Sequence, residues 1–141
     1  MGLMDFQEKV EKVKSLFSSC STAEERYQKI IELGQQSPKL SSEDRIPENI
    51  VKGCQSLMYL KSTYDGTHLS FATESDALIS SGLAVLLVMV YSGEKPEIIL
   101  KSPPAYLDEI GVTTALSPNR ANGLYSLHLR MKQEALKALT Q

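Results

Sequence analysis

The tetrapeptide Gly53-Cys54-Gln55-Ser56 holds the side chain in this sequence best suited to covalent chemistry, the Cys54 thiol. Cys54 follows a proline-containing stretch and a glycine, and it precedes an apolar alternating run. That order puts it on a loop at the start of a strand, where no side chain at Gly53 blocks an approaching partner. Such a cysteine acts as its thiolate, and transfer of sulfur needs little beyond access and a cation or backbone N–H groups that lower its pKa. The displacement that exchanges thiols with disulfides also moves the outer sulfur of a persulfide onto an attacking thiolate. Spacing alone leaves a second reading open, because a free cysteine is often an inert buried hydrophobe.

The other groups able to do chemistry are sparse. Cys20 and Cys54 are the two cysteines, and His68 and His128 the two histidines. Two cysteines in a reducing compartment are no disulfide framework, and without a CxxC or a histidine at ligand spacing they make no zinc site. His68 is expected on a hairpin strand and His128 among core positions of a helix, each as a structural residue. Lys52 precedes the glycine and could lower the thiol pKa, although a surface lysine is the ordinary reading.

Elements on both sides must position that loop. Phe6, Val10, Val13 and Phe17 step by three and four, which predicts a helix over 5–17 with one apolar face. Thr22 and Glu25 have capping-box spacing and open a second helix whose inner face is Tyr27, Ile30, Ile31 and Leu33, with Gly34 placed to stop it. From Gln35 to Asn49, Pro38 and Pro47 sit among polar residues and predict an extended surface loop. After Cys54 the period changes to two. Residues up to Tyr64, the Asp65-Gly66 turn, and Leu69 with Phe71 read as a β-hairpin. A sheet that stands alone usually has three strands, so a further strand is expected over Ile46–Val51. Ser75 is placed to cap a helix from Asp76 to about Tyr91, apolar nearly all round and therefore central, with Gly93 beyond its end. Pro96 and Pro103-Pro104 start short helices or turns, and Ser117-Pro118 opens a last helix with Leu124, Leu127, Met131, Ala135 and Leu139 inward. The predicted class is α+β: helices packed around a small antiparallel sheet of about three strands.

Composition bounds the function. With 141 residues, 42% of them hydrophobic, one domain over 1–141 is expected. A formal charge of −2, from 15 basic and 17 acidic residues spread along the chain, offers no footprint for nucleic acid or an anionic membrane. The N-terminal residues lack the order of a signal peptide, and no Ser or Thr stands near Gly2 as myristoylation requires. The longest apolar stretch, Leu83–Tyr91, falls short of the roughly 20 residues that span a bilayer. A cytoplasmic location is the simplest expectation.

The string IIELGQQSPKLSSEDRIPENIVKGCQSLMYL resembles the signature region of the SufE family of sulfur acceptors. Glu74-Ser75-Asp76-Ala77 before the apolar helix, and Leu116-Ser117-Pro118-Asn119-Arg120 with Gly123-Leu124, also match that family's order and spacing, so the resemblance covers roughly residues 5–139. It implies a SufE/IscU-like α+β fold, shared with iron–sulfur scaffold proteins. It implies that Cys54 takes persulfide sulfur from a SufS-like cysteine desulfurase, that the chain stimulates that enzyme, and that the sulfur goes on to an iron–sulfur scaffold complex. The pyridoxal phosphate would belong to the partner, so neither a cofactor nor a metal is expected on this chain. Gly53, Gln55, Ser56, Arg120 and Asp76 would support the site or the partner contact. Arg120 would stabilise the thiolate or meet the desulfurase. Asp76 and Glu74 lie in an acidic block, where Asp76 also suits a helix N-terminus. Gln55 and Ser56 would hold the loop through backbone hydrogen bonds. Cys20 matches a cysteine of some members and is read as passive. The segment Ser41–Cys54 is the expected docking surface. Three alternatives stand beside this: a paralogous carrier serving another desulfurase and acceptor, a regulatory adaptor with a silent cysteine, and a cluster scaffold, which would need several thiolates together.

Overall fold

The computed structural model describes residues 5–141, so the reading of Gly2 lies outside the described residues. The stepped apolar residues of the N-terminus form α1 (Phe6–Leu16). Its start is closed reciprocally, the Glu8 N–H donating to Asp5 at 2.8 Å and the Asp5 N–H to Glu8 at 3.2 Å. In α2 (Ala23–Gln36) the Thr22 hydroxyl accepts the Glu25 N–H, as its spacing predicts. The reciprocal half is shifted by one residue, because Glu25 accepts from the Ser21 N–H. Tyr27 proves to be exposed, and burial in α2 falls on Ile30 and Gly34.

Gly34 does not stop α2. It lies within the helix, and a methyl group on it would stand 2.1 Å from the Leu78 carbonyl oxygen. Facing it, a methyl group on Gly82 would stand 1.8 Å from the Ile30 carbonyl oxygen. The pair allows the backbones of α2 and α3 (Leu78–Tyr91) to touch where they cross. The helix ends two residues later, where Pro38 forces Ser37 into extended backbone.

The hairpin forms where alternation predicts it. β1 (Met58–Tyr64) pairs antiparallel with β2 (Leu69–Ser75), from Met58 opposite Ser75 to Tyr64 opposite Leu69. Asp65 accepts the Thr67 and His68 N–H groups across the turn at 2.8 and 2.7 Å. The third strand expected over Ile46–Val51 does not form, and the sheet has two strands. Pro47 instead starts a 3-10 turn over Pro47–Asn49, leaving a single bridge between Ile50 and Tyr59. A second 3-10 turn, Ser42–Asp44, interrupts the loop before it.

Nor does Ser75 cap a helix beginning at Asp76. Ser75 completes β2, and Asp76 lies in a bend tied to Leu57, whose N–H donates to the Asp76 carboxylate at 3.1 Å while its carbonyl accepts the Asp76 N–H at 3.3 Å, before Ala77 in extended backbone. The helix therefore starts at Leu78. It is central as expected, touched by α1, α2, β2 and α6, with Leu86, Leu87, Val90 and Tyr91 fully buried. The prolines open α4 (Pro96–Lys101) and precede α5 (Ala105–Glu109), and a 3-10 turn at Thr113–Ala115 leads to α6 (Pro118–Leu139), capped by Ser117. Inward residues of α6 are as predicted except at its end, where Ala138 is buried and Leu139 exposed. The class is α+β, and no helix among the described residues is long and apolar enough to cross a membrane.

Candidate functional site

The loop Lys52–Leu57 is closed at its base by the Val51 N–H donating to the Met58 carbonyl at 2.9 Å, and at its far end by the Leu57–Asp76 pair. Asp76 thus serves the site through the loop and not through a helix N-terminus. Gly53 has φ +89°, and a methyl group there would stand 2.5 Å from the Ser126 hydroxyl of α6. Its bare α-carbon therefore lets the loop come close to α6.

Cys54 is half-buried. Its thiol faces α6 and donates to the Gly123 carbonyl at 3.6 Å, and a methyl group on Gly123 would stand 3.7–3.9 Å from the Cys54 α-carbon, β-carbon and sulfur. Behind the sulfur is a cavity of about 20 Å³, walled by Met58, Leu83, Ala84, Leu124 and Leu127 and, at one side, by Ser80 and Arg120. That is room for about one water-sized particle. Burial in these apolar surroundings pushes the Cys54 thiol up from its ordinary value.

Arg120 is the cation of this cavity. One guanidinium nitrogen donates to Ser56 and to Ser80, both at 2.7 Å, and Ser80 is 7% exposed. Both partners are neutral, and among the described residues no carboxylate forms a salt bridge with Arg120. Arg120 thus lines the same cavity as the half-buried thiol without a carboxylate to neutralise it.

The remaining expected residues divide clearly. Ser56 holds the loop through Arg120 and Ser80, side chain to side chain and not through the backbone. Gln55 is exposed, lines the cavity mouth, and makes no side-chain hydrogen bond to a described residue. Lys52 is exposed. Glu74 faces another way, accepting the Leu40 N–H at 2.7 Å and pairing with Arg45, and so pins the long loop before the 3-10 turns. Cys20 lies against α2 beside Glu24 and Gln28 and shares no wall with Cys54. His68 is at the hairpin turn near Asp65, and His128 is buried against Tyr91. Sequence reasoning missed Ser80, although a serine inside an apolar helix is a signal that it serves a neighbour. It also missed Ser126 and Arg130, which look like solvated residues of a helix.

Residues 11–135 match the family described as SufE, Fe-S metabolism associated domain. The chain belongs to the SufE family. A SufE-like protein of Rhizobium etli, itself uncharacterized, is 39% identical over 118 residues, which is 79% of this chain and 79% of that one. A solution structure of a hypothetical protein from Thermus thermophilus shares the fold, with a TM-score of 0.75 and 24% identity over 94% of this chain and 97% of the other. Family membership ties the chain to iron–sulfur metabolism. The blocks by which the sequence resembles SufE also meet in space. Gly34, Leu57, Glu74 and Asp76 border one groove, and Cys54, Arg120, Gly123 and Leu124 border the cavity beside it.

Proposed function

We propose that this chain is a single SufE-like sulfur-acceptor domain in which Cys54 receives sulfur from a SufS-like cysteine desulfurase in the cytoplasm, stimulating that enzyme and passing the sulfur to an iron–sulfur scaffold complex. The observation that carries the reading is the half-buried Cys54 thiol over a cavity of one-atom scale that also holds the unneutralised Arg120. The Cys54 thiolate attacks the outer sulfur of the donor's cysteine persulfide. A bond forms between the Cys54 sulfur and that outer sulfur, the donor's S–S bond breaks, and the donor cysteine leaves as a thiolate that takes up the proton lost from Cys54. No net oxidation occurs. The pyridoxal phosphate chemistry that makes the first persulfide belongs to the desulfurase. A cluster scaffold would need several thiolates held together, whereas the two cysteines, Cys20 and Cys54, line separate pockets.

Incubation with a desulfurase and free cysteine should add the mass of one sulfur to the peptide bearing Cys54. A Cys54→Ser variant that still accepts sulfur and stimulates the desulfurase would overturn the reading. The burial of the thiol favours one rival, the regulatory adaptor. Alkylation of Cys54 that stays slow even with desulfurase bound would favour that rival.

A further inference from the structure

One face of α6 follows the acceptor segment along its length, in the opposite direction. Arg120 holds Ser56, Gly123 faces Cys54, Ser126 donates to the Gly53 carbonyl, and Arg130 reaches the stem below. The steps of three, three and four keep these side chains on one side of the helix. The contacts are unequal. At the tip, Ser126 to Gly53 is long at 3.4 Å, and the Cys54 bond to Gly123, at 3.6 Å, comes from a thiol, a weak donor. At the stem, the Arg130 guanidinium donates to the Ile50 carbonyl at 2.9 Å and to the Glu48 carbonyl at 2.6 Å. Its third nitrogen is held by Glu134 at 3.2 Å, and Glu134 in turn accepts from Ser62 of β1 at 2.7 Å. The Arg130 and Glu134 side chains are only 20% and 19% exposed, so water screens this anchor little.

We propose that Arg130, oriented by Glu134, is a positioning residue for Cys54: it fixes the upstream stem at Glu48–Ile50 so that the segment Lys52–Gln55, pivoting at Gly53, moves as a short tip between two arginine anchors. The inference rests on Cys54 being the acceptor. A guanidinium suits the role because it serves two carbonyls and a carboxylate at once, which an ammonium cannot do in the same geometry. Without the anchor, the Glu48 and Ile50 carbonyls lose their partner and the stem keeps only the Val51–Met58 hydrogen bond, the Ile50–Tyr59 bridge and the buried Val51, so Cys54 is held less firmly over the cavity it shares with Arg120.

The test is the alkylation rate of Cys54 in the free protein, read peptide by peptide with Cys20 as the internal reference. Arg130→Gln should raise the Cys54 rate about tenfold while leaving Cys20 unchanged, the size expected for losing charge-assisted hydrogen bonds. Arg130→Lys, able to keep one carbonyl, should fall between. Unchanged Cys54 rates in both variants would overturn the inference. Should Arg130→Gln accelerate both thiols together, Glu134→Gln decides: a selective rise at Cys54 supports the anchor, and no selective rise overturns it. Alkylation needs no sulfur donor, so this outcome is separate from the acceptor reading, which fails if Cys54 never gains a sulfur.

Discussion

Burial sets the state of the Cys54 thiol in the isolated protein. Apolar walls disfavour the thiolate, while the Arg120 charge beside the same cavity is placed to receive an anionic sulfur once the tip moves or the sulfur extends toward it. Alkylation of Cys54 should therefore keep accelerating with rising pH beyond the ordinary thiol value of 9.0, where a free cysteine levels off. A rate profile that flattens below that value would contradict the direction. Arg120→Gln removes the charge, and the initial rate of Cys54 persulfide formation should fall about tenfold, measured by mass spectrometry at fixed desulfurase. Arg120→Lys should restore most of it, because both serine contacts come from one nitrogen, a geometry that an ammonium can copy. Equal rates in Arg120→Gln and the parent would remove Arg120 from the site.

Between elements, the decisive contacts are made by glycines. The crossing of α2 and α3 places backbone against backbone at Gly34 and Gly82, and the atoms that a methyl group would strike are carbonyl oxygens, which cannot swing aside as a side chain tip can. Gly34→Ala or Gly82→Ala should each cost about 3 kcal/mol, read from the denaturant midpoint with the slope unchanged. Because Leu78, at the start of α3, also lines the groove beside the acceptor loop, the same substitutions should disturb Cys54 reactivity. Gly123 differs in kind. A methyl group there would make only ordinary contacts with Cys54, at 3.7–3.9 Å, so Gly123→Ala is expected to fold and to narrow access to the sulfur.

Across the whole molecule, the buried His128 couples stability to pH. Its ring lies 5.0 Å from that of Tyr91, and Nε2 has no hydrogen-bond partner. Burial, with nearby Lys132 adding to it, lowers its pKa from 6.5 to about 4, against a smaller opposing effect of the Ser102 backbone. Between these two values the unfolded chain binds a proton that the folded chain does not. Stability is therefore fully present above about 6.5, and is lost as pH falls through the window to about 4. The loss should be on the order of 3 kcal/mol. His128→Leu should flatten that part of the stability curve, and a parent-like slope in the variant would assign it to the carboxylates instead.

Local chemistry of the sequence was enough for the helices, the hairpin and its turn, and the central position of α3. Each of these is fixed by neighbours a few residues away: apolar period, caps, prolines and an Asp-Gly turn. Local reasoning failed where a distant residue claims a backbone group. The Glu48 and Ile50 carbonyls go to Arg130, in the stretch where a third strand was expected. Leu57 claims both the N–H and the carboxylate of Asp76, so α3 starts later than its capping residue suggests. Gly34 is kept for a helix crossing and not for a helix end. The candidate site divides in the same way. The sequence alone, through Cys54 and the blocks resembling SufE, determined which thiol to follow. Only the tertiary structure decided that the thiol is half-buried, that Arg120 and Ser80 share its cavity, and that α6 holds the loop, because those facts depend on groups separated by up to about 80 residues meeting in space.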